Sequence, residues 1–295
     1  MLPLFKKLCV LTLALFALPS YALNVVTSIK PIGMITEELM IGVAQPTVLL
    51  GSNTSPHDYA LRPSDVKTLK DADLVIWFGE GLEAFLEPVL ENNPNALELA
   101  SLPSKPFFEF SEHHHDDGHN HGNLDPHFWL GIDVVKAAAS GIVDRLIVLD
   151  AKNKQQYQHN LATFIEKLDQ SKSEIEQQLS PVIDEPYYVF HDAYGYFERQ
   201  FGLSHEGYFT VSPERKPGAK TLVAIKRALS QFDHVCVFKE PQFEPAIIRS
   251  ITRGTNTEIG TLDPVAGDLS VEPGSYFKFI HSIADSFYNC LTVKK

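Results

Sequence analysis

Short apolar runs alternate with helix-periodic stretches along most of this chain, the pattern of an α/β protein with mainly parallel sheets. Residues 24–27 and 47–50 read as strands, with a helix over 32–39 between them. Ser64 follows Pro63 and is placed to cap a helix running to about residue 71, after which 74–78 is a buried strand. Residues 82–90 and 133–149 carry helical periodicity. The longest uninterrupted period covers 152–179, where Tyr157, Leu161, Phe164, Ile165, Leu168, Ile175 and Leu179 recur on one face. That stretch holds neither Pro nor Gly, would extend about 40 Å at 1.5 Å per residue, and is closed by Pro181. Beyond it the alternation resumes, with strands at 187–190, 235–238 and 258–261 and helices at 221–230, 244–253 and 276–290. The expected architecture is two similar α/β lobes, 23–151 and 181–295, joined by a long connecting helix, 152–180. No close sequence repeat relates the halves.

Two segments break the pattern. In residues 1–22, Lys6 and Lys7 precede an uncharged apolar run, and Ser20 and Ala22 supply small residues at the cleavage positions of an export signal. The run falls well short of the roughly 20 apolar residues that span a bilayer. Cys9 opens it rather than ends it, which argues against a lipid-anchored cysteine. The mature chain is expected to begin at Leu23, outside the cytoplasm. The second break, about 103–123, lacks apolar periodicity and carries His113, His114, His115, His119 and His121 with Asp116 and Asp117 among them. That composition predicts a surface loop, 111–123, that is disordered without metal and binds metal weakly.

Charge and cysteines narrow the field. The formal net charge is −12, and loss of Lys6 and Lys7 makes it more negative still. Such a chain is a poor partner for nucleic acid, whose affinity rests on Lys and Arg at phosphates. Only Cys236 and Cys290 remain after cleavage. An oxidising compartment favours a disulfide between them, with two buried free thiols as the alternative.

The candidate chemistry lies in His57, His127, His191 and Asp263, far apart in sequence and each just past a strand or in a loop entering a helix. Ligands of α/β sheets bind at such strand ends. Two of the four precede the long helix and two follow it, so a site they share would lie in the crevice between lobes. Three neutral imidazoles and a carboxylate make a tetrahedral set suited to zinc and poorly suited to manganese or magnesium. A single loop histidine is more often a surface or capped residue, and His159, His205, His234 and His281 have no comparable settings. Asp58 and Asp192, each next to a candidate ligand, are placed to accept the ring N–H groups. Hydrolytic zinc sites also use three protein ligands. Here, however, no His-Glu-x-x-His helix supplies a base, and Gly218-Ala219-Lys220-Thr221 lacks the glycines of a phosphate loop.

These settings resemble a known family over nearly all of the chain after residue 22. The quoted strings are Ser55-Pro56-His57-Asp58-Tyr59, Leu61-Arg62-Pro63-Ser64-Asp65, His127-Phe128-Trp129-Leu130 and His191-Asp192-Ala193-Tyr194. Phe238-Lys239-Glu240-Pro241-Gln242-Phe243 and Gly260-Thr261-Leu262-Asp263-Pro264 complete them. Together they are similar to the zinc-binding components of bacterial high-affinity zinc uptake ABC transporters, the ZnuA type of the cluster A-I metal-binding proteins. The resemblance implies two α/β lobes with the metal between them, held by His57, His127 and His191, and a Cys236–Cys290 disulfide. Manganese-type relatives carry a carboxylate where His191 stands, so the imidazole implies zinc. Some zinc-type members have Glu just before the first ligand; Pro56 excludes that here and leaves Asp263 or a water as fourth donor. The implied role is a periplasmic monomer, not an enzyme, that captures zinc and delivers it to a membrane permease with a separate ATPase. The His-rich loop matches an auxiliary low-affinity site. Ligand imidazoles must be deprotonated, so binding is expected to weaken as pH falls through about 6.

Overall fold

The protein, described by a computed structural model over residues 22–52, 54–104, 106–109, 124–210, 217–243 and 246–293, contains two parallel sheets and the helices that cover them. The expected leader, apart from Ala22, and the five clustered histidines lie outside the described residues.

The first lobe starts with β1 (Val25–Thr27), α1 (Lys30–Met40) and β2 (Thr47–Val48). It continues through α2 (Pro63–Asp71), β3 (Leu74–Trp77), two short helices α3 (Glu80–Glu83) and α4 (Glu87–Leu90), and β4 (Ala96–Glu98). The expected single helix over 82–90 is thus two short ones joined by a 3-10 turn at Ala84–Leu86. Ser64 does not cap α2. Pro63 occupies the first turn, and the Asp65 carboxylate reaches back to accept the Arg62 N–H at 2.8 Å. All four strands are parallel, in the order β2-β1-β3-β4.

Two long helices follow, α5 (Ile132–Leu149) and α6 (Lys154–Leu179). The second lobe then runs β5 (Tyr187–His191), α7 (Gly195–Phe201), β6 (Gly207–Thr210), α8 (Ala219–Leu229), β7 (Val235–Lys239), α9 (Ala246–Thr252), β8 (Thr257–Thr261) and α10 (Ser275–Leu291). Its sheet, β6-β5-β7-β8, is again all parallel and repeats the strand order of the first. The likeness between halves is therefore topological, where the sequence offers no repeat. In both sheets the chain steps to one side of the first strand and then to the other. That makes the carboxyl ends of β1 and β5 switch points where loops diverge and a ligand crevice opens.

The linking helix is more than a strut. α6 buries Tyr157, Asn160, Phe164, Leu168, Ser171, Ile175 and Leu179 on one face. It packs against α5 and α1 of the first half and α10 of the second. One continuous apolar core consequently runs from Ile32 and Ile35 through Phe164 and Leu168 to Phe279, Ile283 and Phe287. Asn160 makes the junction polar where it must be: its amide donates to the carbonyls of Leu39 at 3.0 Å and Ile41 at 2.9 Å. Those are among the carbonyls that the end of α1 leaves without intrahelical partners. Each sheet also has a smaller core on its other face, around Val75 and Trp77 in one lobe and Val237 and Ile248 in the other. Cys236 in β7 and Cys290 in α10 are joined by a disulfide, with Cα atoms 6.1 Å apart. It fastens the closing helix to its sheet. No described helix is long and apolar enough to cross a membrane.

Candidate metal centre

The three histidines named by the sequence meet. His57 lies in the loop after β2, His127 immediately precedes the 3-10 turn Phe128–Leu130, and His191 is the last residue of β5 rather than just past it. One potential ligand atom from each lies within 4.8 Å of the others. The ring centroids are 5.2 Å apart for His127 and His191, 5.6 Å for His57 and His127, and 6.0 Å for His57 and His191. His127 and His191 are buried, 4 % and 3 % exposed, and His57 stands partly exposed at the mouth of the cleft.

Ring orientation follows from what stands behind each ring. His127 Nδ1 is 2.8 Å from Asp125 Oδ1, and His191 Nδ1 is 2.6 Å from Glu240 Oε1. A carboxylate only accepts, so each Nδ1 carries a proton, and in the neutral ring each Nε2 then presents a lone pair. The two Nε2 atoms face one another at 3.3 Å. Two nitrogens on a tetrahedral zinc, each with a bond of about 2.0–2.1 Å, lie about 3.3–3.4 Å apart. At that distance the pair can share one proton as an N–H···N hydrogen bond or be bridged by a cation. Burial lowers the pKa of both His57 and His127, and the neighbouring imidazoles lower them further, so both rings are held neutral. Neutral is the form that binds metal.

The acceptors behind the rings correct the sequence reading. Asp58 is exposed, and His191 turns its Nδ1 to Glu240 rather than to Asp192. Asp125 lies in the loop just before His127, where its carboxylate also accepts the His127 backbone N–H at 3.0 Å. Burial pushes the Asp125 carboxyl up to about 7, against the pull of that N–H. Glu240 follows β7, the neighbour of β5 in the sheet, and accepts the Tyr194 hydroxyl at 3.2 Å as well. Asp125, two residues before His127 in Asp-Pro-His, was within reach of sequence reasoning. Glu240 needs the pairing of β5 with β7, which no local pattern reveals.

Asp263 stands outside the three-histidine group. It follows β8 with its carboxylate already engaged, Oδ1 by the Gln242 amide at 2.7 Å and Val265 N–H at 3.3 Å, Oδ2 by Gly267 N–H at 2.6 Å. Trp129, on the turn that carries His127, donates its indole N–H to the Pro264 carbonyl at 2.7 Å and so binds the two halves beside the site. The cavity itself is about 20 Å³, lined by the three histidines with Trp129, Glu240, Gln242, Phe243 and Pro264 among its walls.

Two parallel-sheet lobes of like topology, an intervening long helix and ligands drawn from both sides of one cleft define a two-lobed solute-binding protein. The family profile described as zinc-uptake complex component A, periplasmic, matches residues 25–290, and this chain belongs to that family. It is 43 % identical over 288 residues to the high-affinity zinc uptake system protein ZnuA of Yersinia pestis, covering 90 % of this chain and 91 % of that one. It is 41 % identical to the protein of the same name from Haemophilus ducreyi over 98 % of this chain and all of that one. Among solved structures, a zinc-bound deletion mutant of ZnuA superposes with a TM-score of 0.78 at 26 % identity, covering 93 % of this chain and 100 % of that chain.

Proposed function

We propose that this chain is a periplasmic carrier that captures one zinc(II) ion with His57, His127 and His191 and delivers it to an ABC-type permease powered by a separate ATPase. The observation that carries this reading is the pair of facing Nε2 atoms at 3.3 Å, each oriented by a carboxylate behind its ring. The names of the relatives, zinc uptake proteins, agree with that chemistry. Zinc is the cargo. The protein works as a monomer exported with cleavage after Ala22, its lobes divided at 23–151 and 181–295 by the helix of 152–180. Three neutral imidazoles select zinc over oxygen-seeking divalent ions. Asp125 and Glu240 raise the basicity of two of those rings and balance the charge of the bound ion.

Replacing His57, His127 or His191 singly with Ala is expected to weaken zinc binding by about 100-fold or more, measured by competition with a chromophoric chelator. Wild-type affinity in all three variants would reject the site. The histidines at 113, 114, 115, 119 and 121 form, on this reading, an auxiliary weak site. Deleting residues 112–121 should lower total zinc stoichiometry and leave the tight site in place; loss of the tight site would refute the auxiliary role.

A further inference from the structure

The turn that carries His127 precedes α6 in the chain and so falls with the first lobe by order. Its directional anchors come from the second. Tyr196, in the first turn of α7, donates its hydroxyl to the Asp125 carbonyl at 2.8 Å. Tyr276, in the first turn of α10, donates its own to the Trp129 carbonyl at 2.8 Å. With the Trp129 indole on the Pro264 carbonyl, these hydrogen bonds bracket His127, and Tyr196, Tyr276 and Trp129 are all buried. The fit is close as well: a Cβ at Gly131 would lie 3.0 Å from Tyr196 Cβ, and one at Gly195 3.2 Å from Asp125 Oδ2. The first lobe contributes apolar contact instead, through the ring of Phe128 stacked on Phe78.

His191 needs no such fastening. It lies within β5 of the second lobe, and its Nδ1 is held by Glu240, just past the neighbouring strand. Hydrogen bonds are directional and apolar contacts are not, so the lobe that supplies the bonds decides where the His127 ring points. His127 and His191 therefore share one frame, and the 3.3 Å between their Nε2 atoms is set inside it rather than by how the lobes meet. His57 stands apart. Its loop is tied to the first lobe, where the Tyr59 hydroxyl donates to Asp65 at 2.8 Å.

We infer that Tyr196, Tyr276 and Trp129 are positioning residues that fix the spacing of His127 and His191, and that this spacing makes the site discriminate between divalent ions by size. The inference rests on the zinc reading of the three histidines and names the residues that give that site its selectivity. Donor type separates zinc from oxygen-seeking ions, but not from a larger ion that also accepts nitrogen, such as cadmium(II). Zinc imposes no geometry through its d electrons, so the protein has to supply the spacing. Two nitrogens about 3.3–3.4 Å apart suit bonds of about 2.0–2.1 Å at tetrahedral angles, and longer bonds require them to part. With Asp125 and Trp129 anchored on either side of His127, parting means breaking buried hydrogen bonds. His57, arriving on a loop of the other lobe, can follow an ion of either size.

Tyr196→Phe and Tyr276→Phe, combined in the full chain, keep both rings and remove both hydroxyls. Chelator competition with zinc and with cadmium then reads the ratio of the two dissociation constants. The double variant should bind zinc about tenfold more weakly, the low end for loss of an outer-shell partner, with cadmium binding little changed, so that the preference for zinc drops about tenfold. A merely structural role would weaken both ions together; a parallel loss, like an unchanged ratio, would overturn the inference. A second measurement decides the matter even if the double variant does not fold. His57→Ala leaves the two-imidazole frame intact and should retain several-fold more zinc affinity than His127→Ala or His191→Ala, because a preorganised pair binds without further ordering. Equal losses in the three would overturn the inference. Failure of the zinc reading itself looks different, since all three alanine variants would then keep wild-type affinity.

Discussion

At the level of single residues, the site depends on keeping imidazoles neutral and aimed. A histidine in water is half protonated near pH 6.5. Burial and the adjacent rings lower that value for His57 and His127, so protons compete poorly for them. Zinc binding should therefore weaken at lower pH than the value of about 6 expected from the sequence, and later than an exposed three-histidine site would show. The sign is fixed by linkage: below the folded-state pKa the ligand nitrogen takes a proton and zinc is released. Chelator competition between pH 7.5 and about 5 measures this, and a loss of affinity centred at the ordinary imidazole value would contradict it. That His57, His127 and His191 come together could be anticipated from the sequence because each sits in a distinctive string at a strand end or loop. Their acceptors were less legible. Asp125 is local to His127, whereas Glu240 reaches His191 only through the pairing of β5 and β7. Asp263 was legible as a polar residue of the right region but not as one already bound by Gln242 and two backbone amides.

At the level of elements, the strands with apolar runs, Leu74–Trp77 and residues 235–238 of β7, could be read directly because both faces of a covered parallel strand are buried. Ala96–Glu98 and Gly207–Thr210 could not. The first is three half-buried residues with no β-branched or aromatic member, and the second, though it carries Tyr208, Phe209 and Thr210, is only four residues long and begins with Gly. What no local pattern could show is the joint between the loop after Asp263 and α1. Lys30, in the first turn of α1, donates to the carbonyls of Gly267 at 2.7 Å, Leu269 at 2.9 Å and Ala266 at 3.5 Å. Three donors of one ammonium meet three acceptors of the opposite lobe. Lys30→Met keeps the stem and removes the charge. It should cost roughly 1.5–3 kcal/mol of stability, as expected for hydrogen bonds to a charged donor. Thermal unfolding of the zinc-free protein should show a midpoint lower by several degrees. An unchanged midpoint would mean that the joint contributes nothing.

On the scale of the whole molecule, the two lobes share one apolar core that passes through α6, and the disulfide fastens α10, which closes that core, to the second sheet. Wide separation of the lobes would expose this core to water. Metal uptake and release are therefore expected through small tilts and movement of the loops that carry His57 and Asp263. Small-angle scattering of zinc-free and zinc-loaded protein should give nearly superimposable curves, and a large change in radius of gyration would refute that. The central claim is simpler: side chains from both halves of the chain hold one zinc ion in the cleft between them. Anomalous diffraction at the zinc edge from crystals of the zinc-loaded protein tests it most directly. The account predicts a single dominant peak about 2.0–2.1 Å from Nε2 of His127, Nε2 of His191 and a ring nitrogen of His57. A dominant peak elsewhere, or one that leaves any of these three rings outside bonding distance, would contradict it.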